Sequence, residues 1–260
     1  MDFFWDNWLA YFSFSRGQKE PNREDFEAST NQTPKSEKLN DFELSIGNKN
    51  SNYSWRATSY FMGYKDQLVL TGKINDVGAY TRTNIPNSYR AGIELEATAT
   101  IKSWLTAAAN ISFSRNKIVD FTEYIDDYDN GGQQINNYSL PDIAFSPNCV
   151  GGATVNFLPM KNFELSLISK YVSKQYLDNT QNETRKLNSF YIQDVRMSYA
   201  ISNRYIKEVK IILQAANILN KLYEPNGYTF SYLYNQKLTT ENYYYPMAGI
   251  NFMLGINLKF

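Results

Sequence analysis

The residue types that most often carry enzymatic chemistry are scarce in this sequence. Histidine is absent, which removes the commonest general base and the commonest neutral metal ligand. The one cysteine, Cys149, can form neither an internal disulfide nor a thiolate cluster. The sequence also carries no Gly-rich phosphate loop, nucleophile elbow or zinc-ligand spacing. We therefore expect no enzymatic activity, no cofactor and no metal site.

An acidic, glycine-bearing segment at 126–132 is the strongest candidate for a cation site. Its three carboxylates, on Asp126, Asp127 and Asp129, are of the type that calcium prefers. The spacing differs from that of the helical calcium loop, and the closing glutamate is missing. A solvated loop is therefore the favoured interpretation.

Aromatic side chains in the last long connecting segment are the candidate ligand contacts. Aromatic residues on external loops often grip ligands or partners, although packing within the loop itself is the alternative. The four residues singled out on this ground are Tyr228, Phe230, Tyr232 and Tyr234. A second set of side chains is charged, shares one strand face, and could line a polar path or pair internally; its members are Arg90, Glu94 and Glu96.

The elements that position these side chains are predicted to be β-strands, because apolar residues recur at every second position. The clearest segment runs from 250 to 260, where the even-numbered residues are apolar and those between are mostly polar or small. Such alternation indicates a strand with one apolar face, and about 9–11 residues suffice to cross a membrane as a tilted strand. About ten strands are predicted, at 7–16, 38–47, 53–70, 88–101, 104–117, 147–158, 162–173, 189–200, 207–219 and 247–260.

The connections between these strands alternate in length. Short or medium connections (48–52, 102–103, 159–161, 201–206) alternate with long ones (17–37, 71–87, 118–146, 174–188, 220–246). Outer-membrane barrels have short periplasmic turns and long external loops, whereas a soluble β-sandwich has no reason to sort its loops in this way. The sequence therefore predicts an all-β fold, the antiparallel wall of a transmembrane β-barrel.

Charge and hydropathy argue against nucleic-acid binding and against a transmembrane helix. Acidic and basic residues are equal in number, 26 of each, so no long-range attraction to nucleic acid is expected. No run of about 18 apolar residues is present for a transmembrane helix. The first residues, 1–6, do not read as a signal peptide.

Three stretches resemble TonB-dependent receptors, especially those of Bacteroidetes-type bacteria. They are residues 15–26, residues 84–96, and the segment from Asn217 to the terminal Phe260. The last strand, with its final aromatic residue, also resembles the signal read by the barrel-assembly machinery. The residues that would carry this membrane-assembly signal are Phe252, Leu254, Ile256, Leu258 and Phe260.

The resemblance implies a fold, a location and a set of partners. The family's barrel has 22 strands closed by an N-terminal plug, so residues 1–260 would be the C-terminal portion of that barrel, without the plug. We expect Met1 to be an internal methionine of a truncated or partial chain. The implied location is the outer membrane of a Gram-negative bacterium.

The implied function is receptor or transporter activity, with TonB-energised uptake of a scarce ligand such as a siderophore, cobalamin, a glycan or a peptide. The implied partners are the lipid bilayer, the barrel-assembly machinery and TonB through the missing plug only, with a surface lipoprotein as a further candidate. The alternative is a self-contained small porin or barrel, because ten strands alone leave two open edges that must close or pair.

Overall fold

The computed structural model describes residues 2–5, 7–28, 33–75, 78–202 and 206–259. Phe260, the last residue of the predicted assembly signal, lies outside these ranges. Within them the chain is almost entirely β-structure with one short helix, α1 (Arg23–Ala28). The strands are β1 (Asp2–Trp5), β2 (Trp8–Lys19), β3 (Glu37–Lys49), β4 (Tyr53–Ile74), β5 (Tyr80–Lys102), β6 (Leu105–Ile118), β7 (Asp120–Asp127), β8 (Gln133–Ser139), β9 (Cys149–Phe157), β10 (Phe163–Val172), β11 (Gln175–Tyr176), β12 (Lys186–Leu187), β13 (Phe190–Ile201), β14 (Glu208–Ala216), β15 (Asn226–Tyr234), β16 (Lys237–Tyr245) and β17 (Asn251–Lys259).

One large antiparallel sheet forms the body of the protein. Its eleven strands follow the order β1-β2-β3-β4-β5-β6-β9-β10-β13-β14-β17. All ten predicted strands are present in it, and β1 is an additional strand at the N-terminal edge. Four residues are too few to show a period of two, which is why the pattern did not predict β1. Among the described residues no pairing joins β1 to β17, so the sheet is open.

Strand register gathers the apolar residues on one face of this sheet, here called the apolar face. Ile93 lies opposite Phe113, and Leu213 lies between Met197 and Leu254. About half or more of the surface of Ile93, Phe113 and Leu254 is exposed. Water-soluble monomers rarely leave so extended an apolar surface open, whereas a membrane-spanning strand must present one to lipid.

The opposite, polar face carries hydrogen-bonding side chains. Ser45 and Thr58 are cross-strand partners whose hydroxyls lie 2.9 Å apart. Arg90, one of the charged residues predicted to share a face, donates to Asn116 Oδ1 at 3.0 Å and to Ser146 Oγ at 3.1 Å. Glu96, another of that set, forms an exposed ion pair with Arg56 at 3.4 Å.

The two ends of the sheet differ. The short connections at 50–52, 103–104 and 158–162 lie at one end, here called the short-turn end, where Ile201 of β13 also pairs with Val209 of β14. Aromatic residues cluster there, with Trp8 packed edge-on against Trp55 at 5.7 Å and Trp104 stacked on Phe157 at 6.4 Å. The other end, here called the long-connection end, carries the segments between β6 and β9, β10 and β13, and β14 and β17.

The long connections contain strands that the sequence pattern did not predict. β7, β8, β15 and β16 form a second sheet in the order β16-β15-β7-β8, and β11 pairs with β12. β4 and β5 also continue beyond their predicted limits of 70 and 88, so the connection predicted at 71–87 shortens to 75–79. None of these segments needs a lipid-facing side, which explains why strict alternation is absent from them.

A small apolar core supports this second layer. Val69, Ile85, Ile118 and Ile143 are buried together, with Phe121 packed against them. Burying side chains of this size contributes about 1.5–3 kcal/mol each. No helix in the part of the chain that the structure describes is long and apolar enough to cross a membrane.

Candidate ligand-binding cavity

A cavity of about 380 Å³ lies at the long-connection end. Its walls come from the far ends of β4 and β5, the β7–β8 hairpin, the segment between β11 and β12, and β15. Most of the lining residues have polar side chains, and many of these carry hydroxyl groups. Its members are Pro34, Leu68, Thr71, Lys73, Thr81, Arg82, Thr83, Asn84, Phe121, Thr122, Glu123, Tyr124, Gln133, Asp178, Thr180, Arg185, Thr229 and Ser231.

The extension of β4 and β5 builds one wall of this cavity. Thr71 and Thr81 face each other across the hairpin and share a hydroxyl hydrogen bond. Gly72, which follows Thr71 in β4, has a φ of +86°, and a Cβ added there would lie 2.5 Å from the carbonyl oxygen of Leu177. Only glycine tolerates both the backbone conformation and this close approach, so Gly72 lets the segment after β11 lie directly against β4.

A fully buried asparagine fixes that segment in place. Asn179 donates from Nδ2 to the carbonyl oxygen of Leu70 at 2.7 Å and accepts from the backbone N–H of Ala144 at 2.8 Å. Leu177 and Leu187, on either side of it in the chain, are also buried. These contacts join three parts of the chain that are far apart in sequence, around Leu70, Ala144 and Asn179, beside the cavity.

A buried ionic cluster lies in the cavity wall. Arg185 donates from Nη1 to Asp178 Oδ2 at 2.9 Å and also bonds Glu123. Thr180 donates to the other oxygen of Asp178 at 2.6 Å, and Tyr138 donates to Glu123 Oε2 at 2.8 Å. Burial, followed by this hydrogen bond, raises the pKa of Tyr138 to about 12.

The cluster leaves one hydrogen-bonding group unused. Arg185 is only 2 % exposed, and its Nε–H has no acceptor among the described residues. A buried donor without a partner costs free energy. The Nε atom itself has almost no accessible surface, so this unpaired donor is a local cost in stability and does not open into the cavity.

A second ion pair, whose carboxylate is buried, joins helix α1 to the cavity wall. Arg82 donates from Nη1 to Asp25 Oδ1 at 2.7 Å, and Asp25 is 2 % exposed. Burial alone raises the pKa of Asp25, but the bonds from Arg82 and the backbone of Asn22 lower it by more, so that the net pKa is below its usual value. The carboxyl is therefore charged and neutralises Arg82.

These ion pairs could not be predicted from the sequence. Glu123 and Arg185 are 62 positions apart, and Asp25 and Arg82 are 57 apart. Neither pair lies at a spacing that local structure would bring together. Only the packing of the long connections against one another places them in one wall.

Strand β15 separates the cavity from the predicted ligand aromatics. Thr229 and Ser231 line the cavity and bond Asn242 and Thr240 of β16, at 2.8 and 3.0 Å. Successive side chains of a strand point to opposite faces, so the four predicted residues lie on the other face of β15. They are Tyr228, Phe230, Tyr232 and Tyr234.

Those aromatic side chains pack with their neighbours into a surface cluster. Tyr228 stacks on Tyr243 with ring centroids 4.9 Å apart and meets Phe230 edge-on at 5.4 Å. Tyr232 donates to Glu241 at 2.8 Å, whereas Tyr234 at the hairpin tip is 56 % exposed. The structure thus brings the first three together outside the cavity, and their role in ligand contact stays a prediction.

Carboxylates of the acidic segment at 126–132 accept hydrogen bonds from backbone groups at the tips of two β-hairpins. Asp127 accepts from the backbone N–H groups of Asp129 and Asn130. Asp129 accepts from the N–H groups of Asn235 at 2.8 Å and Gln236 at 2.6 Å, which joins the β7–β8 hairpin to the β15–β16 turn. Within the described ranges, no cluster of three potential metal ligands occurs.

The predicted assembly residues lie on β17. Phe252, Leu254, Ile256 and Leu258 lie opposite apolar residues of β14, and all are more than half exposed on the apolar face. The other edge of β17 pairs with no strand in the described part of the chain. Its backbone is therefore available to another strand.

Comparisons with known proteins agree on one fold family. The family model described as "TonB dependent receptor-like, beta-barrel" matches residues 3–220. Curated protein sequences gave no match to this chain. Solved structures that share the fold include the ferric yersiniabactin uptake receptor of Yersinia pestis, with a TM-score of 0.63 and 16 % identity over 96 % of this chain and 34 % of that one.

Two further structures give the same result. The siderophore receptor PiuA of Acinetobacter baumannii has a TM-score of 0.67 and 15 % identity, over 98 % of this chain and 34 % of that one. The copper transporter OprC has a TM-score of 0.67 and 15 % identity, over 97 % of this chain and 38 % of that one. The chain therefore spans little more than a third of the length of these structures.

Proposed function

The chain belongs to the TonB-dependent receptor-like β-barrel family, whose members are outer-membrane transport receptors, and from this premise we propose its role. It is the C-terminal part of a barrel wall, residues 1–260, in a receptor that takes up a scarce ligand with energy delivered through TonB. TonB itself would act on a plug domain outside this chain. The location that follows is the outer membrane of a Gram-negative bacterium.

The observation that carries the proposal is the apolar face of the large sheet. Apolar side chains lie beside one another on it from strand to strand, while polar side chains share the other face. An arrangement with lipid on one side and a watery lumen on the other is what a barrel wall requires. The open edges at β1 and β17 support pairing with further strands, because unpaired strand edges are not tolerated in hydrocarbon.

The orientation follows from the connections. Short turns face the periplasm and long loops face outward in such barrels, so the long-connection end, with its cavity, would face the medium. A ligand arriving from outside would meet the cavity and the aromatic cluster before the lumen.

The cavity supports a ligand rich in oxygen atoms. Its walls offer hydroxyl groups from seven Thr and Ser residues and the amine of Lys73. Siderophores and glycans carry many oxygen acceptors, and both fit this lining better than an apolar ligand does. The aromatic residues Tyr228, Phe230, Tyr232 and Tyr234 would form a second contact surface on the same side.

Three partners would contact this part of the receptor. The barrel-assembly machinery would recognise β17 through Phe252, Leu254, Ile256, Leu258 and Phe260. The lipid bilayer would cover the apolar face, and a surface lipoprotein could cap the long-connection end.

Site-directed labelling in intact cells tests this function and its orientation. In a Cys149→Ala background of the full-length protein, cysteine would replace Tyr234 at a hairpin tip of the long-connection end, or Asn162 in a short turn. We expect a membrane-impermeant maleimide to label the first position and to reach the second only after lysis. Labelling of both positions in intact cells, or recovery in the cytosol, would contradict the assignment.

Bilayer conductance separates the alternative function from this one. A self-contained porin would conduct ions as this chain alone, with its first and last strands paired. An open sheet that depends on further strands gives no stable conductance.

A further inference from the structure

Three cations lie above the apolar face on neighbouring strands near the long-connection end. They are Arg16 on β2, Lys38 on β3 and Lys65 on β4, here called the basic patch. Each is exposed and shares its strand face with an aromatic residue two or four positions away, because side chains of equal parity point the same way. The aromatic residues are Phe14, Phe42 and Phe61, which form one cross-strand row.

The strand register brings like charges together. Lys38 and Lys65 lie directly opposite each other, and directly opposite residues have Cβ atoms about 4.5–5.5 Å apart. Gln18 lies on the other side of Lys38, and Arg16 is diagonal to Lys38. Like charges in this relationship repel each other and destabilise a sheet, so the arrangement calls for an anion.

No carboxylate in the described part of the chain supplies that anion. Among the described residues, no acidic group forms an ion pair with Arg16, Lys38 or Lys65. Glu37 pairs with Lys19 at 3.3 Å on the other face. Glu20, just beyond β2, accepts hydrogen bonds from Gln18 and Ser36 instead.

The basic patch lies about one apolar-band height from the short-turn end, where the outer surface of the membrane is expected. Trp8 and Trp55 mark the aromatic belt at the short-turn end. Arg16 is eight residues beyond Trp8 and Lys65 ten beyond Trp55, or about 27 and 34 Å along strands that rise about 3.4 Å per residue. A strand tilt of about 40° reduces these lengths to heights of about 21 and 26 Å, close to the roughly 25 Å of a barrel's apolar band.

We propose that the basic patch binds the phosphate groups of phosphorylated glycolipids in the outer leaflet. Phosphate oxygens would bridge Lys38 and Lys65, and the guanidinium fork of Arg16 would hold a phosphate through two hydrogen bonds. The acyl chains of the same lipid would lie on Phe14, Phe42 and Phe61. The patch faces away from the lumen, so a plug or a transported ligand cannot occupy it.

The test measures lipid binding by the purified full-length protein with native mass spectrometry. The probes are bisphosphorylated lipid A, lipid A with its phosphates removed, and inorganic phosphate. We expect the wild type to retain bisphosphorylated lipid A, and the triple variant Arg16→Gln, Lys38→Gln, Lys65→Gln to bind it at least about ten-fold more weakly. Dephosphorylated lipid A should bind both proteins equally weakly.

A matched control removes the same charge from the polar face. Lys170→Gln, Arg196→Gln and Lys210→Gln lie on β10, β13 and β14 with their side chains directed to the lumen, and this triple variant should bind lipid A as the wild type does. The variant Lys38→Arg, Lys65→Arg keeps the charge and should also keep binding. Heat-modifiable migration in gels checks that every protein is folded.

Three results would overturn the proposal. Equal binding by the wild type and the patch variant would show that these cations do not hold phosphate. Equal loss in the lumen control would show a net-charge effect, and inorganic phosphate binding as tightly as lipid A would show a simple anion site. The proposal rests on the membrane placement given above, but its failure in a correctly inserted protein would leave the transport assignment intact.

Discussion

Arg185 lies 2.9 Å from Asp178, and both side chains are almost completely buried in the wall of the cavity. Their contact holds the segment between β11 and β12, to which Asn179 and Thr180 also belong, against the ends of β4 and β7. The pair is thus both a structural clamp and part of the candidate site. Its neighbours Glu123 and Tyr138 extend the network into the β7–β8 hairpin.

Breaking this pair should release the cavity wall. The variant Arg185→Leu leaves Asp178 and Glu123 as uncompensated buried charges, and removing one partner of such a group costs about 3–5 kcal/mol. We expect rapid protease cleavage within residues 173–189 while the large sheet stays intact. Lys174→Gln is the control, because its ion pair with Glu183 is half-exposed and such pairs contribute about 0–1 kcal/mol. Equal protease resistance in wild type and Arg185→Leu would contradict the clamp.

Adding a methyl group at Gly72 should loosen the same segment, because it introduces backbone strain and a steric clash. The left-handed backbone alone costs a non-glycine residue about 1–2 kcal/mol, and the added Cβ meets the carbonyl oxygen of Leu177 at 2.5 Å. Gly72→Ala should therefore raise hydrogen exchange at residues 177–180. Gly17→Ala is matched to it, since a Cβ there meets nothing within 4 Å. Equal hydrogen exchange at residues 177–180 in the two variants would contradict this role of Gly72.

The network also predicts a loss of stability at high pH. Because the pKa of Tyr138 rises to about 12 from about 10 in an unfolded chain, the folded protein keeps the proton where the unfolded chain loses it. The resulting stability is fully present below pH 10 and is lost as the pH rises toward 12. Thermal melting between pH 9 and 11.5 should fall less steeply in Tyr138→Phe than in the wild type. Parallel curves would show that Tyr138 is not coupled to folding.

The last strand should be needed for assembly through one face only. The variant Leu254→Ser, Ile256→Ser removes two residues of the apolar face of β17, whereas Met253→Ser alters the neighbouring position on the polar face. Recovery of the protein in the outer-membrane fraction should drop several-fold for the first and stay unchanged for the second. A similar drop in both would indicate general misfolding rather than recognition of the apolar pattern.

The sequence predicted the large sheet because lipid imposes a strict rule on every strand that crosses it. Apolar residues such as Leu254 and Ile256 recur at every second position on the lipid side, and this recurrence was enough to predict ten strands. The second sheet has no lipid side, and its order depends on contacts such as Tyr228 with Tyr243. Those contacts follow no short period that a sequence can reveal.

The cavity could not be predicted for a related reason. Asn179 bonds a carbonyl 109 positions earlier in the chain, and Arg185 finds Glu123 across 62 positions. Aromatic residues on a loop suggested ligand contacts at Tyr228 and Phe230, yet a strand's two faces point in opposite directions. The hydroxyls of Thr229 and Ser231, rather than the rings, therefore line the cavity.

Spin-label accessibility along β14 tests the central claim, that one face of the sheet contacts lipid, most directly. Labels would be attached at each position from 209 to 216 in a Cys149→Ala background of the membrane-inserted protein. We predict that collisions with oxygen, which concentrates in lipid, peak at 209, 211, 213 and 215, and that collisions with a water-soluble nickel chelate peak at the positions between. Accessibility without this alternation, or nickel collisions at both faces, would contradict the assignment of a barrel wall.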